Sequence, residues 1–353
     1  MSELHQWLEY AITHNATDLH MTSGKVPRVR IDGRLVSTNG TKPADMGRLV
    51  EDILTMLPEG ERENRRKTWD GGEDVDCAFS FEDKARVRTN IFRTSKGIAV
   101  ALRIIPNKRL TAQEIGIPLA VIEMCKQKGG LFIITGANGT GKTSTLAALM
   151  DVINDTRSVH ILTIEDPIEY QMEDKKSWFS QREIGQHVNE FYKALRSAVR
   201  ENPDIVMLGE MRDLNTTRTA LELAETGHLV FATLHTRSAL ASIDRIIGQF
   251  PSGEQNQIRL MLSESLLGIL AQTLLPRKNG GLIAAFELLL PDTGIRNAIK
   301  DPSKSNVNAV MRNAMQTGSQ HGMMTMEQSI RRLVSDGIVD AADVPADYVL
   351  KDK

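Results

Sequence analysis

The residues with the most specific chemistry in this chain are Gly136-Ala137-Asn138-Gly139-Thr140-Gly141-Lys142-Thr143. They follow an apolar stretch, Leu131-Phe-Ile-Ile-Thr135, and run into Ser144-Thr-Leu-Ala-Ala-Leu-Met, which is rich in helix formers. Glycines at this spacing let the backbone curl until successive N–H groups and a helix N-terminus face one point, where phosphate charge is stabilised. This is a P-loop in the strand-loop-helix context it requires, and Gly136 to Ser144 form the expected phosphate-contacting set. Lys142 is expected to neutralise β/γ charge, and Thr143 to offer its hydroxyl to Mg²⁺.

Three further segments could complete such a site. Ile161-Leu-Thr-Ile-Glu165-Asp166-Pro-Ile-Glu169 is an apolar run ending in three carboxylates, where the C-terminal edge of a parallel sheet receives ligands; acid at a strand end also serves as a simple cap. Ile205-Val-Met-Leu-Gly209-Glu210 has the Walker B pattern, with glycine where many P-loop enzymes place an aspartate. Glu210 is then the acid able to hold Mg²⁺ through water. Leu229-Val-Phe-Ala-Thr-Leu234 is flanked by His228 and His235, a pair without a metal-binding pattern. His235, at the strand's exit, reads as a donor to a γ-phosphate, the other reading being a structural histidine.

The elements around these motifs follow from hydrophobic spacing. Leu4, Trp7, Leu8, Ala11 and Ile12 fall on one helical face, and so do Met46, Leu49, Val50, Ile53, Leu54 and Leu57, with Asp45 placed as cap. Residues 26–36 alternate around Asp32-Gly33, which predicts two short strands and a tight turn. From Val75 to Ile105 the period is two, predicting a meander of about three strands that carries Arg86, Arg88, Arg93 and Arg103. Residues 106–118 are bracketed by prolines and separate this strand-rich part from an alternating β/α part. The expected organisation is an N-terminal domain over 1–106, a linker over 107–118 and a second domain over 119–353.

Composition narrows the partners. With 41% hydrophobic and 25% charged residues among 353, a disordered or fibrous chain is excluded. Lys and Arg total 43 against 45 Asp and Glu, so no bulk basic field draws nucleic acid or anionic lipid. No apolar run reaches the ~18–20 residues needed to span a bilayer, and the opening Met-Ser-Glu-Leu-His-Gln has no signal-peptide pattern, so a cytoplasmic location is expected. Cys77 and Cys125 are too few for a disulfide scaffold or a four-thiolate zinc site and are read as reduced structural thiols.

Four signatures in order resemble those of the secretion ATPase superfamily, and within it the type IV pilus retraction motors. They are the P-loop at 136–143, the Asp box Thr163-Ile-Glu-Asp-Pro-Ile-Glu169, the Walker B stretch Asp204 to Asp213, and the His box Glu225 to His235, which includes His228. Gly294-Ile-Arg-Asn-Ala-Ile299 is similar to a box found in retraction motors, with two positions changed; Ala137-Asn138 and Thr140 stand where the family commonly has Pro-Thr and Ser. Extension motors usually carry an additional N-terminal domain and a four-cysteine zinc insert, for which this sequence has neither the length nor the cysteines, so the retraction type is expected.

The resemblance implies an α/β protein: a PAS-like α+β N-terminal domain, then a RecA-like P-loop ATPase domain with a mainly parallel sheet and a helical C-terminal part. It implies a homo-hexamer using ATP and Mg²⁺, peripheral to the inner membrane through an inner-membrane pilus platform protein at the pilus base, without nucleic acid. Glu165 is expected to activate water and Glu210 to hold Mg²⁺, a division that could be reversed. Arg88, Arg93 and Arg103 are candidate arginine fingers. Other readings are a type II/IV secretion or pilus-extension ATPase, a nucleotide-binding switch with little turnover, and a nucleic-acid motor.

Overall fold

The computed structural model describes residues 2–31, 33–38, 44–107, 109–301 and 307–348. The chain divides into two compact units, Met1–Arg109 and Leu110–Lys353.

In the first unit, helix α1 (Glu3–Thr13) is capped by Ser2 and buries Leu4, Leu8 and Ala11. Strands β1 (Asp18–Thr22), β2 (Arg28–Ile31) and β3 (Arg34–Ser37) come next. The β2–β3 turn passes through Gly33 at φ +77°; Asp32, the other half of the expected turn, lies outside the described residues. Helix α2 (Met46–Thr55) starts at Asp45, whose carboxylate accepts from the Arg48 N–H at 3.2 Å.

Helix α3 (Glu59–Asp70) has no buried residue, so no apolar stripe announced it. Arg62 holds it in place by donating to the carbonyls of Leu54, Thr55 and Leu57 at the end of α2. Strands β4 (Val75–Phe81), β5 (Ala85–Thr94) and β6 (Gly97–Pro106) form the expected meander. The six strands order as β3-β2-β1-β6-β5-β4, antiparallel throughout. Their inward residues, such as Leu19, Val87, Ile91 and Leu102, pack with α1 and α2 into one core.

The second unit opens with two short helices, α4 (Ala112–Ile115) and α5 (Leu119–Met124). Ala112, Ile115 and Ile117 are buried in this unit's core, so the proline-bracketed stretch is packed chain from 112 onward. Then come β7 (Gly130–Thr135), α6 (Lys142–Thr156), β8 (His160–Glu165), β9 (Trp178–Glu183), α7 (Phe191–Glu201), β10 (Ile205–Leu208), α8 (Leu214–Glu225) and β11 (Leu229–Leu234). Next are α9 (Ala239–Gly248), α10 (Gln255–Ser265), β12 (Leu266–Pro276) and β13 (Leu282–Leu289). Helices α11 (Thr293–Lys300), α12 (Val307–Thr317) and α13 (Met326–Ser335) form the helical C-terminal part.

The seven-stranded sheet has the order β13-β12-β7-β11-β10-β8-β9, parallel except for the β12–β13 pair. Every residue of β7, β10 and β11 is buried, because helices cover both faces of such a sheet. Alternation decides which core each side chain enters: Leu131 and Ile133 join the layer beneath α8 and α9, Phe132 and Ile134 the layer beneath α6. In this order β11 lies between β7 and β10, and β8 lies next to β10. The C-terminal ends of four strands therefore arrive side by side.

Candidate functional site

Between β7 and α6 the loop turns through Gly136, Gly139 and Gly141 at φ +154°, +77° and +86°. At Gly136 a Cβ would lie 2.5 Å from the Gln272 carbonyl oxygen and 2.6 Å from Thr140 Oγ1, so only glycine is accommodated. Gly141 is the N-cap of α6 and supplies no side-chain cap, which leaves the first N–H groups of that helix free to face an anion.

Lys142 is buried and its Nζ donates to the carbonyls of Gly136 and Ala137, each at 2.9 Å. Burial pulls its pKa below the ordinary lysine value, while Glu210 and Glu169 pull it back up. The ammonium also lies 3.4 Å from Nδ1 of His235, whose Nε2 is 2.9 Å from Glu210 Oε1. With Lys142 donating to Nδ1, the proton of a neutral imidazole sits on Nε2 and donates to Glu210, an assignment that follows from the network. Glu210 Oε2 accepts from Arg212 Nε at 2.6 Å, and Arg212 Nη1 reaches Asp166 at 3.3 Å. Five residues, Lys142 at the start of α6 and Asp166, Glu210, Arg212 and His235 just past the ends of β8, β10 and β11, thus form one linked polar chain.

Glu165, the last residue of β8, is 5% exposed. Its Oε1 accepts from Thr163 Oγ1 at 2.7 Å and from Gln181 Nε2 at 3.2 Å. Burial pushes its pKa up to about 7, against the opposing pull of those two donors. The carboxyl faces a narrow crevice whose walls include Met150, Met172 and Met207. Such a carboxyl exchanges its proton near neutral pH, as a general base must.

Gly209 has a local reason to be glycine: a Cβ there would meet the Ile164 carbonyl oxygen at 3.3 Å and Glu165 Cα at 3.4 Å. An aspartate would push against the strand that carries Glu165. Thr143 is half-buried in the first turn of α6, and Ser144 Oγ lies 3.2 Å from the Tyr170 hydroxyl.

The remaining expected site residues are His228 and three arginines of the first unit. His228 precedes β11 and His235 comes after it, so at ~3.3 Å per strand residue the two are roughly 20 Å apart. His228 Nδ1 is 3.1 Å from the Leu223 carbonyl at the end of α8, away from the group of side chains around Lys142. Arg93 is also committed: its Nη2 donates to Trp69 O at 2.8 Å and its guanidinium stacks 3.7 Å from the Trp69 ring centroid, pinning α3 to β5. Arg88 and Arg103 are exposed and sit directly opposite each other on β5 and β6. Like charges in that register cost stability. Asp18, opposite Arg103 on its other side, is paired with Arg30.

Within α11, Ile295, Ala298 and Ile299 are buried while Gly294 and Asn297 are exposed. Arg296 caps α10 by donating to the carbonyls of Ser263, Glu264 and Leu266. The box at 294–299 therefore has both a packing face and an outward face.

Sequence reasoning missed three residues. Arg212 stands inside the Walker B stretch, where its type alone hinted at a partner for acid. Gln181, on the polar edge strand β9, and Gln272, on β12, carry no motif; only strand order brings them to Glu165 and to the P-loop.

Comparison with known proteins now decides the family: residues 1–281 match the description "Type II/IV secretion system protein". The chain belongs to that family. It is 40% identical to the type IV pilus retraction ATPase PilT of Pseudomonas aeruginosa, covering 96% of this chain and 95% of that one. A twitching motility protein of Neisseria gonorrhoeae is 38% identical, with 96% and 92% covered. The crystal structure of the pilus retraction motor PilT with bound ADP superposes with a TM-score of 0.85 at 39% identity, covering 100% of this chain and 98% of that one. This family member is a PilT-like ATPase with a RecA-like core, as its motifs led us to expect.

Proposed function

We propose that the chain hydrolyses ATP to drive retraction of a type IV pilus, acting as one subunit of a homo-hexameric motor. The observation that carries the reading is the convergence of Lys142, His235 and Glu210 on one phosphate-binding loop, in a chain 40% identical to PilT over nearly its full length. In this reading Lys142 and the loop N–H groups bind the β/γ end, and His235 donates to the γ-phosphate. Glu165 orients and deprotonates the attacking water; the new O–P bond forms as the bond to the β–γ bridging oxygen breaks, releasing ADP and phosphate.

Thr143 and Glu210 offer the hard oxygen donors that Mg²⁺ takes, and the ion would neutralise charge on the phosphate oxygens. A bound nucleotide and its ion would draw on Lys142 and Glu210, so the links from His235 to those two residues are the ones that would rearrange. His235 is the group positioned to report whether a γ-phosphate is present.

The exposed guanidiniums of Arg88 and Arg103, opposite each other in the sheet, are our candidates for stabilising charge on the transferring phosphoryl group, in preference to Arg93. The exposed face of α11 is our candidate for coupling to an inner-membrane platform protein at the pilus base. No helix among the described residues is long and apolar enough to cross a membrane, which suits a cytoplasmic protein held at the membrane through partners.

The test is ATP turnover by wild type, Lys142→Ala and Glu165→Gln, with particle mass measured on the same samples, together with deletion in a piliated cell. Loss of turnover in both variants within an intact hexamer, and pili that elongate but never shorten in the deletion, are expected. A wild type that binds ATP without turning it over makes the protein a switch; loss of pili in the deletion makes it an extension motor.

A further inference from the structure

Gln272 lies far from the P-loop motif in the chain yet touches the phosphate-binding loop at several points. It sits on β12, one residue beyond Ala271, which pairs with Thr135 at the end of β7. Its side chain is almost fully buried, and both ends of the amide are engaged: Nε2 donates to the Thr140 carbonyl at 2.6 Å, and Oε1 accepts from Thr145 Oγ1 at 2.9 Å. Its own carbonyl oxygen backs against Gly136, and Nε2 is the atom a Cβ at Gly141 would meet first. One side chain therefore bridges the loop and the first turn of α6.

The direction of these bonds has a chemical consequence. In a trans peptide the C=O of one residue and the N–H of the next point opposite ways. Fixing the Thr140 carbonyl on the β12 side therefore turns the Gly141 N–H away from β12, toward the concave side of the loop, where phosphate oxygens bind. Gly141, at φ +86°, has no side chain to hold that peptide plane, and glycine is the residue freest to turn it over. The Thr145 hydroxyl holds the other end of the amide, so that the amide cannot rotate without losing a bond in a dry site.

From this we infer that Gln272 is a positioning residue for the phosphate cradle, acting through the Thr140–Gly141 peptide on the affinity for nucleotides that carry a β-phosphate. The inference rests on the proposed nucleotide site, and AMP, which lacks the β-phosphate, is the internal control.

The experiment is competition of ADP and AMP against a fluorescent ATP analogue on the full chain, for wild type, Gln272→Met, Gln272→Glu, Thr145→Val and Lys142→Ala. Gln272→Met keeps the bulk and removes both bonds; it should weaken ADP about 10-fold, ~1.4 kcal/mol, and leave AMP within two-fold. Gln272→Glu sets a carboxylate oxygen against the Thr140 carbonyl and should weaken ADP more. Its defect should shrink relative to wild type as the pH is lowered, because a protonated carboxyl restores one donor and one acceptor. A merely structural defect would weaken ADP and AMP alike, so the AMP control is read at each pH.

Thr145→Val removes one half of the clamp without disturbing the β12 core, and should weaken ADP about three-fold even if Gln272→Met folds poorly. Equal loss of ADP and AMP, or unchanged ADP affinity in a folded Gln272→Met, would overturn the inference. Lys142→Ala separates the two levels: if it too leaves ADP affinity unchanged, the nucleotide-site reading fails, whereas an ADP loss there with none in the clamp variants removes Gln272 alone.

Discussion

Replacing Glu165 by glutamine is expected to stabilise the nucleotide-free protein, and more so at high pH. The carboxyl is 5% exposed, and burial raises its pKa from the ordinary 4.5 to about 7. An acid whose pKa is raised by folding is favoured folded in its protonated form. That contribution is fully present below pH 4.5 and is lost as the pH rises through 7. At ~1.4 kcal/mol per pH unit, the raised pKa costs the folded state about 1 kcal/mol at pH 5, where the carboxyl must take up a proton, and about 3 kcal/mol at pH 8, where it is held ionised. Glutamine imitates the protonated acid: its oxygen still accepts from Thr163 and Gln181, and it carries no charge to desolvate. The gap in stability between Glu165→Gln and wild type should therefore widen by about 2 kcal/mol from pH 5 to pH 8, roughly 4–8 °C in unfolding temperature for a unit of this size. Thermal unfolding of both proteins, without nucleotide, at pH 5, 6, 7 and 8 measures it. A gap that stays constant across this range would show that Glu165 is hydrated and not poised near neutrality. Its place as the water-activating base would then lose its physical basis.

The same geometry sets other outcomes. His235→Ala should abolish turnover while ATP still binds within a few-fold, whereas His228→Ala, at the far end of β11, should retain turnover and lose only about 1 kcal/mol of stability; equal loss of turnover in the two would place both histidines in the chemistry. Burial pushes the thiols of Cys77 and Cys125 up to about 12, so neither should react with a thiolate-selective reagent at pH 8 until the protein is unfolded. Rapid labelling of native protein would contradict the packing of both cores.

Much of the site was legible because its chemistry is local. A P-loop is one continuous turn, so Gly136 to Thr143 announce it by spacing, and Glu165, Glu210 and His235 announce themselves by ending apolar runs in polar groups. The helices α1 and α2 were legible because each buries one face. Helix α3 was not, since it buries none of its residues, and β12, buried on both faces, has no alternation to mark it.

Residue type did not distinguish groups that meet at the P-loop from groups that pack elsewhere. His228 and His235 look equivalent in the chain, and so do Arg88 and Arg93. Which histidine meets Lys142 depends on which end of β11 it occupies, and which arginine is tied to α3 depends on which one reaches Trp69.

The sequence by itself determined that this chain binds phosphate at a P-loop, which strands carry the acids, and which family it joins, because those features are written in residues a few positions apart. Only the tertiary structure decided that His235 sits between Lys142 and Glu210, that Arg212 ties Glu210 to Asp166, and that Gln272 holds the loop from 132 positions away. The physical reason is strand order. A parallel sheet sets side by side the ends of strands far apart in the chain, and no period or motif along one strand records its neighbour.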